Sequence, residues 1–120
     1  MGSIAIIGGT GLTSLEGLSI TGKEDFSSTF GQSSGSVTKG QFADKQILFL
    51  ARHGYEHPIP PHRVNYRANI DVLKQAGAEH IIAVNAVGGI TSEMQASTVS
   101  IPDQIIDYTH GRNQTYNDHS

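Results

Sequence analysis

Three short apolar segments of this 120-residue chain each end in residues whose types suit anion binding. The residues that follow the three segments are Gly9-Thr10-Gly11, Arg52-His53-Gly54 and Asn85-Ala86-Val87-Gly88. An arginine guanidinium is a planar fork of donors that matches phosphate oxygens, and glycine lets backbone N–H groups come close to an oxyanion. If the three ends lie side by side, they form one anion site, and phosphate is the anion that we predict.

The elements that must position these residues are strands. Residues 3–7, 46–51 and 80–84 are short apolar runs, and residues 37–43 and 46–51 flank Asp44-Lys45, a pattern that predicts a hairpin. The run from Ile47 to Ala51 is apolar at every position, which is typical of a strand covered on both faces. Weaker patterns predict further strands at residues 18–23, 98–101 and 104–108. In open α/β sheets, ligands bind at the carboxyl ends of the strands.

One helix is predicted, over residues 64–75. Val64, Ala68 and Val72 recur at the spacing of a helix face, and Gly77 provides a stop signal. Residues 27–36 and 53–62 are predicted loops. The fold class is therefore α/β, a mixed central sheet flanked by helices. A sheet apolar on both faces needs two covering layers, so we expect either a truncated chain or completion by partner subunits.

The sequence contains partial patterns of two other kinds of site, a dinucleotide site and a metal site. Gly9-x-Gly11-x-x-Ser14 is similar to a dinucleotide-binding fingerprint, but serine stands where the third glycine belongs. His53, His57 and His62 suggest a metal, yet the prolines among them argue against a helix, and no carboxylate cluster completes a ligand set. We expect no metal.

Composition narrows the class of protein. The net charge is −3 and the Lys and Arg are scattered, so nucleic acid is not an expected partner. The chain has no Cys, no apolar run long enough to span a bilayer and no signal-peptide pattern at its start. We expect a cytoplasmic protein without a membrane partner, with residues 1–120 forming one part of a single domain.

Several segments resemble one enzyme family in order and spacing. The segments IIGGTGL at 6–12, LARHGYEH at 50–57 and PHRVNYRAN at 61–69 resemble the methylthioadenosine phosphorylases. The segments VNAVGGI at 84–90 and IDYT at 106–109 are similar to the branch that uses 6-oxopurines, which includes bacterial methylthioinosine phosphorylases. The resemblance runs from residue 4 to about residue 117, and chains of the family are about twice this length.

The resemblance implies a reaction and its residues. Phosphate attacks C1′ of a purine nucleoside and the purine leaves, with phosphate as a co-substrate and no metal or organic cofactor. By carry-over, the phosphate-binding residues are Thr10, Arg52, His53, Asn85 and Ala86. His57 and Gly88 are expected near the ribose. The family is usually trimeric, so a homotrimer is expected of the full-length enzyme.

Two rival classes of protein remain open at this point. One is a nucleotide-binding module of the dinucleotide type. The other is a non-enzymatic protein that packs with itself or with a full-length relative. We expect this chain alone to bind phosphate weakly without cleaving nucleosides, since the family's base-binding residues lie in the half that the chain lacks.

Overall fold

The computed structural model describes residues 2–9, 16–55 and 58–117. The chain divides into two compact units, Met1–Ala86 and Val87–Ser120. The regular elements within the described ranges, in chain order, are β1 (Ser3–Gly8), β2 (Ser19–Glu24), β3 (Val37–Phe42), β4 (Lys45–Ala51), a 3₁₀ turn (Pro61–Arg63), α1 (Tyr66–Gln75) and β5 (Ala78–Ala83). No helix in these ranges is long and apolar enough to cross a membrane.

The five strands of the first unit form one mixed sheet in the order β2-β3-β4-β1-β5. Strand β1 runs parallel to β4 and to β5, whereas β3 is antiparallel to both of its neighbours. Gly8 pairs with Ala51 and Ile7 pairs with Ala83, so β1, β4 and β5 all end at the same edge. The predicted α/β class with a mixed central sheet is confirmed.

The core lies between the sheet and α1. Val72 and Leu73 of the helix pack with buried side chains of β1 and β4, among them Ala5, Leu48 and Leu50. Ile47 and Phe49 on the other face of β4 are also buried, which confirms that this strand is covered on both sides. Burial of such apolar surface is the main favourable contribution to folding. Here it holds β1 and β4 in place, and with them the carboxyl ends of these two strands.

The helix is shorter at its start than the sequence predicted. It begins at Tyr66 because the side chain of Asn65 accepts a hydrogen bond of 3.0 Å from the N–H of Ala68 and so caps the first turn. It ends before Gly77, whose φ of +100° takes the chain out of the helix, as the stop signal predicted.

The second unit has no strand or helix among residues 87–117, so the strands predicted at 98–101 and 104–108 are wrong. Val99 and Ile101 are 92% and 94% exposed. A strand needs a neighbour to pair its N–H and C=O groups, and apolar residues alone do not provide one. The backbone forms local turns instead, such as the bond of 3.0 Å from the N–H of Met94 to the oxygen of Thr91.

Candidate functional site

The residues that directly follow β1, β4 and β5 are Gly9, Arg52 and Val84, and together they are called here the carboxyl rim. The N–H of Arg52 donates to the oxygen of Gly8 at 2.9 Å, and the N–H of Val84 donates to the oxygen of Ile7 at 2.9 Å. The parallel ladders therefore continue one residue beyond the strands on both sides of β1. The prediction that the three strand ends share one edge is confirmed.

The side chain of Arg52 crosses the carboxyl rim. Its Nη2 donates a hydrogen bond of 2.7 Å to the backbone oxygen of Val84. A Cβ atom built on Gly9 would lie 3.0 Å from Nη1 of Arg52, so the glycine leaves space for the guanidinium. The bond to Val84 uses one of the five N–H donors of the guanidinium. The cation is thus held by the sheet in a half-buried position at the end of β1.

His53 is fixed by a double contact with Ile59. The N–H of Ile59 donates to the oxygen of His53 at 2.9 Å, and Nδ1 of His53 lies 2.8 Å from the oxygen of Ile59. A carbonyl oxygen can only accept, so Nδ1 carries the hydrogen of this contact. Nε2 is the ring nitrogen left for other partners, as an acceptor in the neutral ring and as a donor in the imidazolium.

The other predicted site residues have different outcomes. Asn85 and Ala86 are exposed and directly follow Val84, whose oxygen binds Arg52. Thr10 and His57 lie outside the described residues, so their predicted contacts stay predictions. Gly88 belongs to the second unit, and its predicted place near the ribose also stays a prediction.

Two residues behind the carboxyl rim were not found from the sequence. The hydroxyl of Ser34 donates to the backbone oxygen of Arg52 at 2.5 Å, and Asn69 of α1 binds Ser34. The signal that points to Asn69 is its residue type, since asparagine is unfavourable inside a helix and this one directly follows the apolar position Ala68. No local pattern points to Ser34.

A cleft of about 830 Å³ lies beside the turn that follows β4. Ser34, Gly54 and Ile59 line it, together with the cations Lys23 and Arg63. Gly9, Arg52 and Val84 are not part of its lining. The carboxyl rim is therefore distinct from this cleft, and the predicted anion site lies on the rim.

The structure does not support a dinucleotide site or a metal site among the described residues. A dinucleotide fold has parallel strands throughout its binding half, whereas β3 here is antiparallel to β4. Within the described residues, no three potential metal-ligating side chains lie together. His57 lies outside these residues.

Comparison with known sequences gives consistent matches. The sequence model of the Phosphorylase superfamily matches residues 3–120. A probable S-methyl-5′-thioinosine phosphorylase from Pseudomonas syringae pv. tomato is 54% identical over 112 residues, covering 93% of this chain and 46% of that protein. The S-methyl-5′-thioadenosine phosphorylase of Thermofilum pendens is 43% identical over 115 residues, covering 96% of this chain and 44% of that protein. The chain spans about half the length of the curated relatives it matches.

Comparison with solved structures agrees. Methylthioadenosine phosphorylase from Schistosoma mansoni, in complex with adenine, superposes with a TM-score of 0.64 at 37% sequence identity. The match covers 69% of this chain and 29% of that one.

Proposed function

Because the chain belongs to the Phosphorylase superfamily, we propose that it forms the phosphate-binding part of an enzyme that cleaves purine nucleosides reversibly with phosphate. The proposed products are a free purine base and ribose 1-phosphate or its methylthio derivative. The names of the relatives support S-methyl-5′-thioinosine as the substrate, with S-methyl-5′-thioadenosine as the alternative.

The observation that carries the proposal is the arginine on the carboxyl rim. Its guanidinium is anchored on Val84 and lies against a glycine at the end of a parallel strand. Bidentate arginine contacts are among the strongest that proteins make to phosphate. An arginine that only resurfaced from the core would have no need of a glycine beside its terminal nitrogens.

The proposed mechanism places phosphate on this rim. Phosphate attacks C1′ as the purine leaves, and its negative charge stabilises the positive charge that develops on the sugar, so positioning and electrostatics carry the rate. The residues proposed to hold phosphate are Thr10, Arg52, His53, Asn85 and Ala86. His57 and Gly88 are proposed to lie near the ribose. We further propose a cytoplasmic homotrimer that uses no metal or organic cofactor.

The proposal separates this chain from the complete enzyme. We propose that the 120 residues alone bind phosphate weakly and do not release a base. General acid assistance to a leaving group is typically worth about 10²–10⁴-fold, and no residue of this chain has been assigned to the purine. Loss of substrate orientation removes more, up to about 7–11 kcal/mol at the extreme.

A chimera tests the proposal. Residues 1–117 are joined to the part of the Pseudomonas relative that follows the matched segment, and both the chimera and the isolated chain receive methylthioinosine, methylthioadenosine or inosine. Free base is followed by chromatography with and without phosphate. The expected result is phosphate-dependent release by the chimera and none by the chain alone.

Two outcomes would contradict the proposal. A folded chimera that releases no base from any of the three nucleosides would count against phosphorolysis. Robust phosphate-dependent release by the isolated chain would show that these 120 residues build their own base site. As a check on the rival class, NAD should not quench the tyrosine emission of the chain.

A further inference from the structure

A buried pair of polar residues lies behind the carboxyl rim. Asn69 is 2% exposed and Ser34 is 8% exposed. A buried amide costs free energy unless it is hydrogen-bonded, and asparagine is a poor residue for a helix interior. The side chain of Asn69 makes two hydrogen bonds to Ser34: Oδ1 accepts from the N–H of Ser34 at 2.8 Å, and Nδ2 donates to its hydroxyl oxygen at 3.0 Å.

The direction of these bonds follows from their chemistry. The N–H of Ser34 can only donate, so the atom of Asn69 that faces it is the oxygen, and Nδ2 must face the hydroxyl. Since Nδ2 donates to the hydroxyl oxygen, the single hydrogen of that hydroxyl points elsewhere. It goes to the backbone oxygen of Arg52, 2.5 Å away.

The accepting oxygen belongs to the central peptide of a tight turn. The turn runs from Ala51 to Gly54 and is closed by a bond of 3.1 Å from the N–H of Gly54 to the oxygen of Ala51. Its central peptide joins Arg52 to His53. A trans peptide is planar and its C=O and N–H point in opposite directions, so fixing the oxygen of Arg52 also fixes the N–H of His53.

We propose that Ser34 and Asn69 are positioning residues for phosphate binding, because they hold the Arg52–His53 peptide in one orientation. This inference rests on the proposed function, since Arg52 and His53 are two of the proposed phosphate-binding residues. Neither Ser34 nor Asn69 needs to touch phosphate. Their contribution is a fixed backbone from which the guanidinium of Arg52 reaches Val84 across the carboxyl rim.

The chain offers a matched control. A further hydrogen bond joins α1 to the loop that contains Ser34. At the start of this loop, the oxygen of Ser27 accepts from Nε2 of Gln75 at 2.8 Å. Gln75 is exposed and belongs to the same helix as Asn69. Gln75→Ala removes a bond between the same loop and the same helix without reaching the turn at Arg52.

The test uses the 120-residue chain with the variants Ser34→Ala, Ser34→Thr, Asn69→Asp and Gln75→Ala, and with the double variant that combines Ser34→Ala and Asn69→Asp. Asn69→Asp is nearly isosteric and keeps the acceptor for the N–H of Ser34. Its carboxylate has no hydrogen for the hydroxyl of Ser34 and instead attracts that hydroxyl's hydrogen away from Arg52. Nuclear magnetic resonance reports the mobility of the Arg52 guanidinium and the amide shift of His53, calorimetry gives the dissociation constant for inorganic phosphate, and urea unfolding gives stability.

The expected result is a shift of the His53 amide and a more mobile guanidinium in Ser34→Ala and Asn69→Asp, with phosphate affinity about three- to tenfold weaker. Gln75→Ala should leave the His53 amide, the mobility of the guanidinium and the phosphate affinity unchanged. Ser34→Thr keeps the hydroxyl, so all three should be close to those of the unsubstituted chain. Combining Ser34→Ala with Asn69→Asp should weaken phosphate binding no further than Ser34→Ala alone, because both act through one bond.

Two results would overturn the inference. One is an unchanged Arg52 and His53 signal in folded Ser34→Ala and Asn69→Asp. The other is a loss of phosphate affinity no larger than that of Gln75→Ala. If the unsubstituted chain binds no phosphate, the proposed function fails at this rim, while the resonance data still decide whether Ser34 and Asn69 hold the turn.

Discussion

The guanidinium of Arg52 donates a hydrogen bond to the backbone oxygen of Val84, and in doing so it joins the ends of β4 and β5 across β1. Both partners are fixed by ladder bonds to β1, through Gly8 and Ile7. The position of the cation is therefore set by the three parallel strands β1, β4 and β5. A preorganised charge of this kind does not need to be reoriented when an anion arrives.

Replacement of Arg52 should specifically weaken phosphate use. In the chimera, Arg52→Ala should raise the phosphate KM at least about tenfold, because hydrogen bonds to charged groups are worth about 1.5–3 kcal/mol each. Arg52→Lys should have a phosphate KM between those of the unsubstituted chimera and Arg52→Ala, since one ammonium cannot both bind Val84 and present a planar fork. Initial rates at varied phosphate concentration measure the effect.

Lys45→Ala is the matched control for Arg52→Ala. Lys45 is exposed at the amino end of β4, the strand whose carboxyl end leads into Arg52. The substitution Lys45→Ala removes one positive charge, as Arg52→Ala does, but from the other end of the same strand. It should leave the phosphate KM unchanged. Equal phosphate dependence in the Arg52 and Lys45 variants would contradict a phosphate site at the carboxyl rim.

Gly9→Ala should displace the guanidinium of Arg52 without changing the arginine itself. The added Cβ would lie 3.0 Å from Nη1 of Arg52 and 3.6 Å from the oxygen of Val84, so the guanidinium must move away. The end of an arginine side chain shifts slightly at little cost to the fold, and this shift weakens its bond to Val84. We expect phosphate affinity of the chain to fall about three- to tenfold by calorimetry, with stability nearly unchanged.

Gly22→Ala provides the comparison for Gly9→Ala. No atom lies within 4 Å of a Cβ built on Gly22, which sits on β2 away from the rim. This variant should bind phosphate as the unsubstituted chain does. If the two variants had the same phosphate affinity, crowding of Arg52 by residue 9 would play no part in binding.

The sheet and its shared edge could be predicted because their signals are local. The apolar run from Ile47 to Ala51 needs cover on both faces, and only an interior strand provides it. Arg52 and Gly9 directly follow such runs, so their place at the edge follows from where the strands end. The helix was placed by the same reasoning, apart from its start: Asn65 caps the helix, which begins at Tyr66, two residues after the predicted start.

The support behind the rim could not be predicted because it depends on the path of a loop. Ser34 and Asn69 are 35 residues apart, and nothing near either residue encodes their contact. The strands predicted at 98–101 and 104–108 failed for a related reason. Apolar content favours a strand only where a neighbouring strand can pair with it, and the sequence pattern does not show whether one is present.

Gly77→Ala should destabilise the first unit through the backbone alone. Gly77 has a φ of +100°, which side chains with a Cβ rarely adopt, and no atom lies within 4 Å of the added carbon. We expect the free energy of unfolding to fall by about 1–2 kcal/mol in urea titrations. Gly22→Ala also adds a methyl group in open space, but without a positive φ, and should cost clearly less. Equal losses would show that backbone strain at the end of α1 is not the cause.

Asp107 in the second unit should titrate below the usual range of an aspartate. Its pKa is lowered chiefly by the hydroxyl of Thr109, which donates to Oδ1 at 2.6 Å, and then by the N–H of Thr109 at 2.8 Å, with a smaller contribution from the charge of Arg112. These bonds favour the carboxylate, so the turn is stabilised above the ordinary aspartate pKa and loses this support as pH falls through the lowered pKa.

Thr109→Val removes the hydroxyl and keeps the N–H, so it should move the pKa of Asp107 part of the way back to its usual value. Carbon-13 resonances of the Asp107 carboxyl, followed against pH, measure its pKa in the unsubstituted chain and in Thr109→Val. Thr98→Val, in the same unit, should leave the titration unchanged. A pKa of Asp107 at or above the ordinary value in the unsubstituted chain would contradict the contacts with Thr109.

The ring of His53 should carry its hydrogen on Nδ1 when it is neutral. Its Nδ1 lies 2.8 Å from the carbonyl oxygen of Ile59, which can only accept, so this tautomer is the one that the loop selects. Nitrogen-15 shifts at alkaline pH distinguish the two tautomers, and exposed His80 on β5 serves as the internal reference. The consequence for the proposed reaction is specific: a neutral His53 presents only an acceptor at Nε2, so a ring contact to phosphate needs a proton on the ring or on the phosphate. A predominant Nε2–H tautomer would show that Ile59 does not orient the ring, and this condition on phosphate binding would then be withdrawn.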